Sequence, residues 1–259
     1  MVEVETAETQ VSLGKPERKV FELPVIEPAR LIARNTFEII VAKPSDFEFS
    51  AGQSMKFFPE EEYAGSFSIV SAPRQEYLTF AFRGSESPLK KRMLNLGKGA
   101  PVPIRDVKRV KDTFHYPEEP EADVPVVMIA GGIGITPFTS MLRHAALTND
   151  KRSFTLLSTN PTEADAAYRD EIMRYPEFGV DIHQKYFFSG NAETEEKKHR
   201  FTSDTLAEYL KEPMPIFYVA GPVKMVQDTV SALRALGVPE KHIRFKEFTG
   251  YVGTDDVNR

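Results

Sequence analysis

The chain has 259 residues, with 33 Lys and Arg against 38 Asp and Glu, five His and no Cys, for a formal charge of −5. That length predicts one large domain or two compact ones, and a hydrophobic share of 41% suits a core-forming soluble protein better than a disordered one. The lack of cysteine excludes disulfides, thiolate metal sites, cysteine nucleophiles and cysteine-held iron–sulfur clusters in this chain, and the acidic balance removes a global electrostatic case for nucleic acid or an anionic membrane.

Residues 1–22, rich in Glu, Thr, Gln and Lys, read as a tail or an edge strand. No run reaches the ~18 apolar residues of a membrane span, and the first ten residues are polar and acidic where a secretory leader is basic then apolar, so a cytoplasmic protein is expected. From 23 to 120 the pattern is short alternating runs. Phe37, Ile39 and Val41 share a face, then Phe67 and Ile69, then Leu78, Phe80 and Phe82. Period two marks half-buried strands, and the turn signals between them (Lys43 to Asp46, Ala51-Gly52, Ala72-Pro73) have the spacing of a small antiparallel barrel. One helical piece interrupts it, near Pro88 to Leu96.

Tyr116 to Asp123 is proline-rich and acidic and reads as an exposed linker. Beyond it, continuous apolar strands alternate with helices: Pro125 to Ala130, Phe154 to Ser158 and Ile216 to Ala220 are strands buried on both faces. Thr136 is expected to cap the first helix with Pro137 as its first residue. A second helix is expected from Thr162 to just before Pro176, and a third from Pro222 to Leu236, closed by Gly237. This rhythm predicts a doubly wound parallel α/β sheet over 121–251, with 252–259 as a tail.

The sharpest motif is Ile129-Ala130-Gly131-Gly132-Ile133-Gly134-Ile135-Thr136-Pro137, between a buried strand and a helix N-terminus. Glycines let the backbone approach a pyrophosphate, and free amides at a helix start attract its charge. No Gly-Lys-Ser/Thr follows, so it is not a P-loop, and Pro137 stands where the third glycine of a G-x-G-x-x-G would fall. The competing structural reading is a tight turn with no ligand. The histidines (His115, His144, His183, His199, His242) lack metal-ligand spacing, and no metal is expected.

On these residues the chain resembles the ferredoxin-NADP reductase-like flavoproteins, over roughly residues 25–251, through Ala130 to Pro137, through Tyr218 to Pro222 with Met225, and through Gly65 to Ser71. The resemblance implies a flavin-binding barrel before a nicotinamide-nucleotide domain, and hydride transfer from NADH or NADPH to FAD, with FMN as the alternative flavin. It implies that Gly131, Gly132, Gly134, Ile135, Thr136 and Pro137 hold the nucleotide pyrophosphate. Gly221, Pro222 and Met225 would border the nicotinamide, with Ala220 where many relatives carry Cys, and Thr159 and Asn160 would lie near the adenosine ribose. Phe67, Ser68 and Ile69 would meet the flavin ring, with Ser68 in a catalytic position. The arginine that relatives use for the flavin phosphate falls on Gly65, so Arg83 is the expected replacement, beside Ser85 and Ser87 at a helix start. In the closing run Ile243 to Tyr251, Lys246 stands where relatives have Glu; Glu247 is the candidate for proton handling and Phe248 for covering the ring. Pro161 and the lack of an arginine after the second strand favour NADH over NADPH.

Residues 88–112 hold eight basic side chains against two acids in a net acidic chain. Such a segment can steer an acidic electron carrier, of the ferredoxin or flavodoxin kind, or be a solvated basic face. Two other readings compete with the reductase: a non-catalytic electron-transfer or regulatory subunit with weakened flavin binding, and a reductase using free flavin as substrate.

Overall fold

The computed structural model describes residues 20–58, 63–106, 114–117, 124–190 and 201–249. The first half is a six-stranded antiparallel sheet: β1 (Val20–Ala33), β2 (Thr36–Ala42), β3 (Ser54–Phe57), β4 (Gly65–Ser68), β5 (Tyr77–Arg83) and β6 (Pro101–Asp106), in the order β4-β3-β6-β1-β2-β5. The bridge between Ile69 and Phe80 joins its two ends into a barrel. Alternation explains the curl. Ile39, Val41, Leu78, Phe80 and Phe82 point inward with Phe57 and Met55, all nearly or fully buried. Register shifts between Val25 and Ala33 let one long β1 pair with β6 at its start and β2 at its end, so the chain turns a barrel corner without breaking. Helix α1 (Pro88–Leu94) follows β5 and buries only Leu89 and Met93.

The second half is a five-stranded parallel sheet, β7 (Val126–Gly131), β8 (Phe154–Asn160), β9 (Ile182–Phe188), β10 (Ile216–Pro222) and β11 (Ile243–Phe248), in the order β11-β10-β7-β8-β9. All six residues of β7 are buried, as expected of a strand covered on both faces. The helices are α2 (Thr136–Thr148), α3 (Arg169–Met173), α4 (Ser203–Ala207) and α5 (Val223–Ala235). One core lies under α2 around Met128, Phe138, Met141 and Tyr218, and the other under α5 around Ile129, Val219, Val226 and Leu233.

Several sequence expectations are corrected here. Strand β1 begins at Val20, so pairing with β6 starts inside the segment expected to be a tail. The start of the expected linker is not exposed: Tyr116 and Pro117 are buried, and the Tyr116 hydroxyl donates to Asp150 at 2.6 Å. Aromatic burial outweighs the proline-rich composition; residues 118–123 lie outside the described residues. Thr136 is not a cap. A 3-10 turn over Gly132–Ile135 precedes the helix, and Thr136 Oγ1 donates to the Ile133 carbonyl at 3.0 Å. The expected second helix is three short pieces. A capping box of Thr162 and Asp165 opens a 3-10 turn that stops at Ala166, Tyr168 adopts a left-handed backbone (φ 60°) just before α3, and Pro176 sits inside a second 3-10 turn, Tyr175–Phe178.

The halves are tied by specific bonds as well as by contact. Ser140 Oγ donates to the Ser71 carbonyl at 2.7 Å, the Arg34 amide to Ala164 at 2.7 Å, and the Tyr168 hydroxyl to Glu38 at 2.7 Å. Glu38 is buried and also receives Arg30 at 2.7 Å. Arg143 makes a two-pronged pair with Glu171 (2.7 and 2.8 Å) and reaches the Val70 carbonyl. Burial acts to raise the Glu171 carboxyl, but the hydrogen bonds and charge of Arg143 and the Tyr175 hydroxyl outweigh it and hold that carboxyl below its usual range.

Candidate functional site: a cleft between barrel and parallel sheet

Where the two halves meet, a cleft of about 800 Å³ opens, and three stretches distant in sequence form its walls. The volume lies within the range usual for small-molecule sites.

The wall on the parallel-sheet side is Gly131, Gly132, Ile133, Thr136 and Pro222. Its shape follows from missing side chains. A Cβ on Gly131 would meet Met225 Sδ at 2.5 Å and Pro222 Cδ at 2.8 Å, and one on Gly134 would strike the backbone of Ala220 and Gly221. The ends of β7 and β10 therefore close on one another, and only glycine permits the distance. Gly132 carries φ 51° with open space around its α-carbon, so it bends the chain into the 3-10 turn and leaves its face accessible. The turn then feeds α2, where the Thr136 amide is taken by the Ile133 carbonyl and Pro137 has no N–H, so an anion here would meet the open face of Gly132 and the positive end of the helix dipole.

The barrel-side wall is Ser54, Ala64 to Ser68, Ala81 to Arg83, Ser87, Leu89 and Lys90. Phe67 is half-buried and held edge-on by Phe57 (5.2 Å between centroids) and Phe82 (6.1 Å). Ser68 Oγ lies 3.4 Å from Ser54 Oγ, one hydroxyl pair across the β3–β4 ladder. The Ser87 hydroxyl oxygen is buried without a hydrogen-bond partner. Burial and then the charge of Arg83 push the Lys90 ammonium below its ordinary range. The third wall is Lys246 to Thr249 of β11 and its exit. Lys246 is buried, donates to the Gly52 carbonyl at 3.1 Å and sits 5.4 Å over Phe114. Glu247 is exposed and accepts from Gln227 at 3.0 Å.

Of the residues singled out from sequence, the fold brings Phe67, Ser68, Arg83, Ser87, Gly131, Gly132, Thr136, Pro222, Glu247 and Phe248 into this one cleft. Others stand behind it. Ile69 is fully buried in the barrel core, Gly134, Ile135 and Pro137 are buried under the turn, and Met225 packs on Gly131. Gly221 lies across from Gly131, with about 3.0 Å between an added Cβ and the Gly131 backbone. Ser85 is exposed and its hydroxyl accepts the Ser87 amide. Thr159 and Asn160 end β8 outside the cleft walls; Asn160 is buried with Oδ1 unpartnered. Sequence reasoning missed Lys90, Ser54 and the inward turn of Lys246. Lys90 was findable, since it falls three residues after Ser87 and so on the same face of a helical turn.

The basic segment is less free than its charge count suggests. Arg92 stacks on Phe58 at 3.9 Å and donates to Tyr63, Lys91 pairs with Glu86 at 2.5 Å, and residues 107–113 lie outside the described residues. Among the described residues no group of three or more His, Cys, Asp or Glu could hold a metal, and no helix is long and apolar enough to cross a membrane.

A barrel followed by a parallel sheet, with a glycine turn facing the junction, defines the two-domain architecture of the ferredoxin-NADP reductase-like flavoprotein reductases. The chain has that fold: it superposes on the ferredoxin-NADP+ reductase of Plasmodium falciparum with a TM-score of 0.74 at 16% identity, covering 88% of this chain and 96% of that one. Residues 128–231 match the family of oxidoreductase NAD-binding domains. An oxidoreductase NAD-binding domain-containing protein 1 from Danio rerio is 27% identical over 232 residues, 80% of this chain and 84% of that protein. A flavohemoprotein from Rhodopirellula baltica is 29% identical over 130 residues; these cover 48% of this chain and only 32% of the flavohemoprotein's length.

Proposed function

We propose that the chain is an NAD(P)H-dependent flavoprotein oxidoreductase that passes electrons to a separate acceptor. The observation that carries this reading is the convergence of Phe67 and Ser68, of Gly131, Gly132 and Thr136, and of Phe248 on one cleft. Its residues fit a flavin: aromatic rings of Phe67 and Phe248 on two of its walls, hydroxyls from Ser54 and Ser68, a buried unpartnered Ser87 hydroxyl and cations at Arg83 and Lys90. A flavin bound there, FAD or FMN, would accept a hydride equivalent from a nicotinamide and release it onward as electrons.

The chain's own residues orient and shield. Gly131 and Gly132, beside the positive end of α2, receive a pyrophosphate, and Pro222 shapes the space beside it. Phe67 and Phe248 exclude water from the cleft. Ser68, held by Ser54, presents a hydroxyl to the ring, and Glu247, held at the rim by Gln227, can keep a proton in exchange with solvent. The end of β8, with Thr159, Asn160 and Pro161 and no arginine, supports NADH over NADPH as the preferred donor. The basic residues of 88–112 support an acidic carrier protein as acceptor. A second reading, a subunit with weakened flavin binding, is favoured by Gly65, which offers no charge to a flavin phosphate.

The test is anaerobic mixing of flavin-loaded protein with NADH and, separately, NADPH, following loss of the flavin absorption band. Rapid bleaching, faster with NADH, is expected. Protein that stays colourless after incubation with excess FAD or FMN would overturn the reductase in favour of the subunit.

A further inference from the structure

Resting on the flavin reading above, we propose that Lys90, together with Arg83 and Ser87, forms a phosphate corner of the cleft that does the work of the guanidinium missing at position 65. Three observations converge. All three side chains line the cleft, on the end of β5 and on two positions one helical turn apart. Lys90 makes no ion pair or hydrogen bond with any described residue, and the Ser87 hydroxyl oxygen is buried with no partner. Arg83 has only a loose partner, Asp165 at 3.8 Å, and that carboxylate is already engaged by Thr162 at 2.5 Å.

Position 65 shows why the charge moved. An added Cβ there would run into Leu89 Cδ2, so α1 has settled against β4 and occupies the space a side chain on Gly65 would need. The same approach carries Lys90, the next residue along, into the cleft wall. Two cations held on one partly buried wall disfavour each other until an anion lies between them, and burial and Arg83 do depress the Lys90 ammonium. An ammonium, a guanidinium and a hydroxyl donate from different directions, which suits the several oxygens of a phosphate better than the two of a carboxylate.

The experiment is a fluorescence titration of FAD, FMN and riboflavin into the full chain and into Lys90→Met, Lys90→Arg and Arg83→Met, at low and high salt. Lys90→Met is expected to weaken FAD and FMN about tenfold or more while leaving riboflavin, which has no phosphate, unchanged. The salt dependence of FAD binding should flatten in Lys90→Met, and Lys90→Arg should retain most of the affinity. Equal loss for all three flavins, or no loss for any, overturns the phosphate corner alone. If the unaltered chain binds none of the three, the flavin reading fails and this assignment with it.

Discussion

Replacing Gly134 with Ala tests whether the cleft depends on the close approach of the 3-10 turn Gly132–Ile135 to the end of β10. An added Cβ would lie 2.5 Å from the Ala220 carbonyl carbon and 2.8 Å from the Gly221 nitrogen, and closer still to the Ala220 oxygen. None of these is a side chain that can swing away. Ordinary contacts of carbon are about 3.5–4.0 Å, so the turn and the end of β10 must part by about an ångström. Overpacking of this kind costs about 1–3 kcal/mol, which for a chain of this size lowers the melting temperature by about 2–12 °C. The functional loss is expected to be larger, since a misplacement of about 1 Å at a positioning element can cost about 100-fold in rate. Thermal unfolding and NADH-driven bleaching of the flavin-loaded variant measure both, with flavin affinity unchanged because the barrel-side wall is untouched. Gly132→Ala is the control: its φ of 51° makes the substitution strained, but open space surrounds it and no neighbouring strand need move. A Gly134→Ala protein with unaltered melting temperature and unaltered bleaching rate would refute the close-packing argument.

Three further outcomes are expected. Tyr168→Phe removes the donor to buried Glu38 and should cost about 1.5–3 kcal/mol in denaturant unfolding, because the acceptor is charged. The Glu171 carboxyl lies below its ordinary value of 4.5 in the folded chain, so its stabilisation is complete above that pH and is lost as pH falls through the lowered value. Urea midpoints followed downward from neutral pH should drop across that acid range, and the drop should shrink in Arg143→Met. Gly65→Arg alone should destabilise the chain by pushing on Leu89, whereas Gly65→Arg with Leu89→Ala should bind FAD about tenfold more tightly than the unaltered chain in equilibrium titration.

Local signals carried far in this sequence. Period two at Phe37, Ile39 and Val41 and at Leu78, Phe80 and Phe82 was enough to read barrel strands, and the apolar runs 125–130, 154–158 and 216–220 to read a parallel sheet; each lies in or overlaps an observed strand. The glycine turn was legible as a pattern of adjacent residues, three glycines between an apolar strand and a Thr-Pro helix start, although what crowds Gly131 and Gly134 is the distant end of β10 and Met225. The errors also have local causes. A threonine before a proline looks like a cap whether or not a 3-10 turn precedes it, and a stop at Ala166 with a left-handed Tyr168 before α3 divided a helix that the pattern allowed.

What sequence by itself determined is the pair of architectures and the place of the glycine turn, because periodicity and turn residues within a few positions mark both. Only the tertiary structure decided which side chains share the cleft. Lys90 and Arg83 share a wall because α1 packs Leu89 toward Gly65 at the end of the barrel, and Lys246 turns inward because the Gly52 carbonyl receives it from 194 residues away. Burial and charge proximity are set by approaches between distant segments, and no spacing along the chain encodes them.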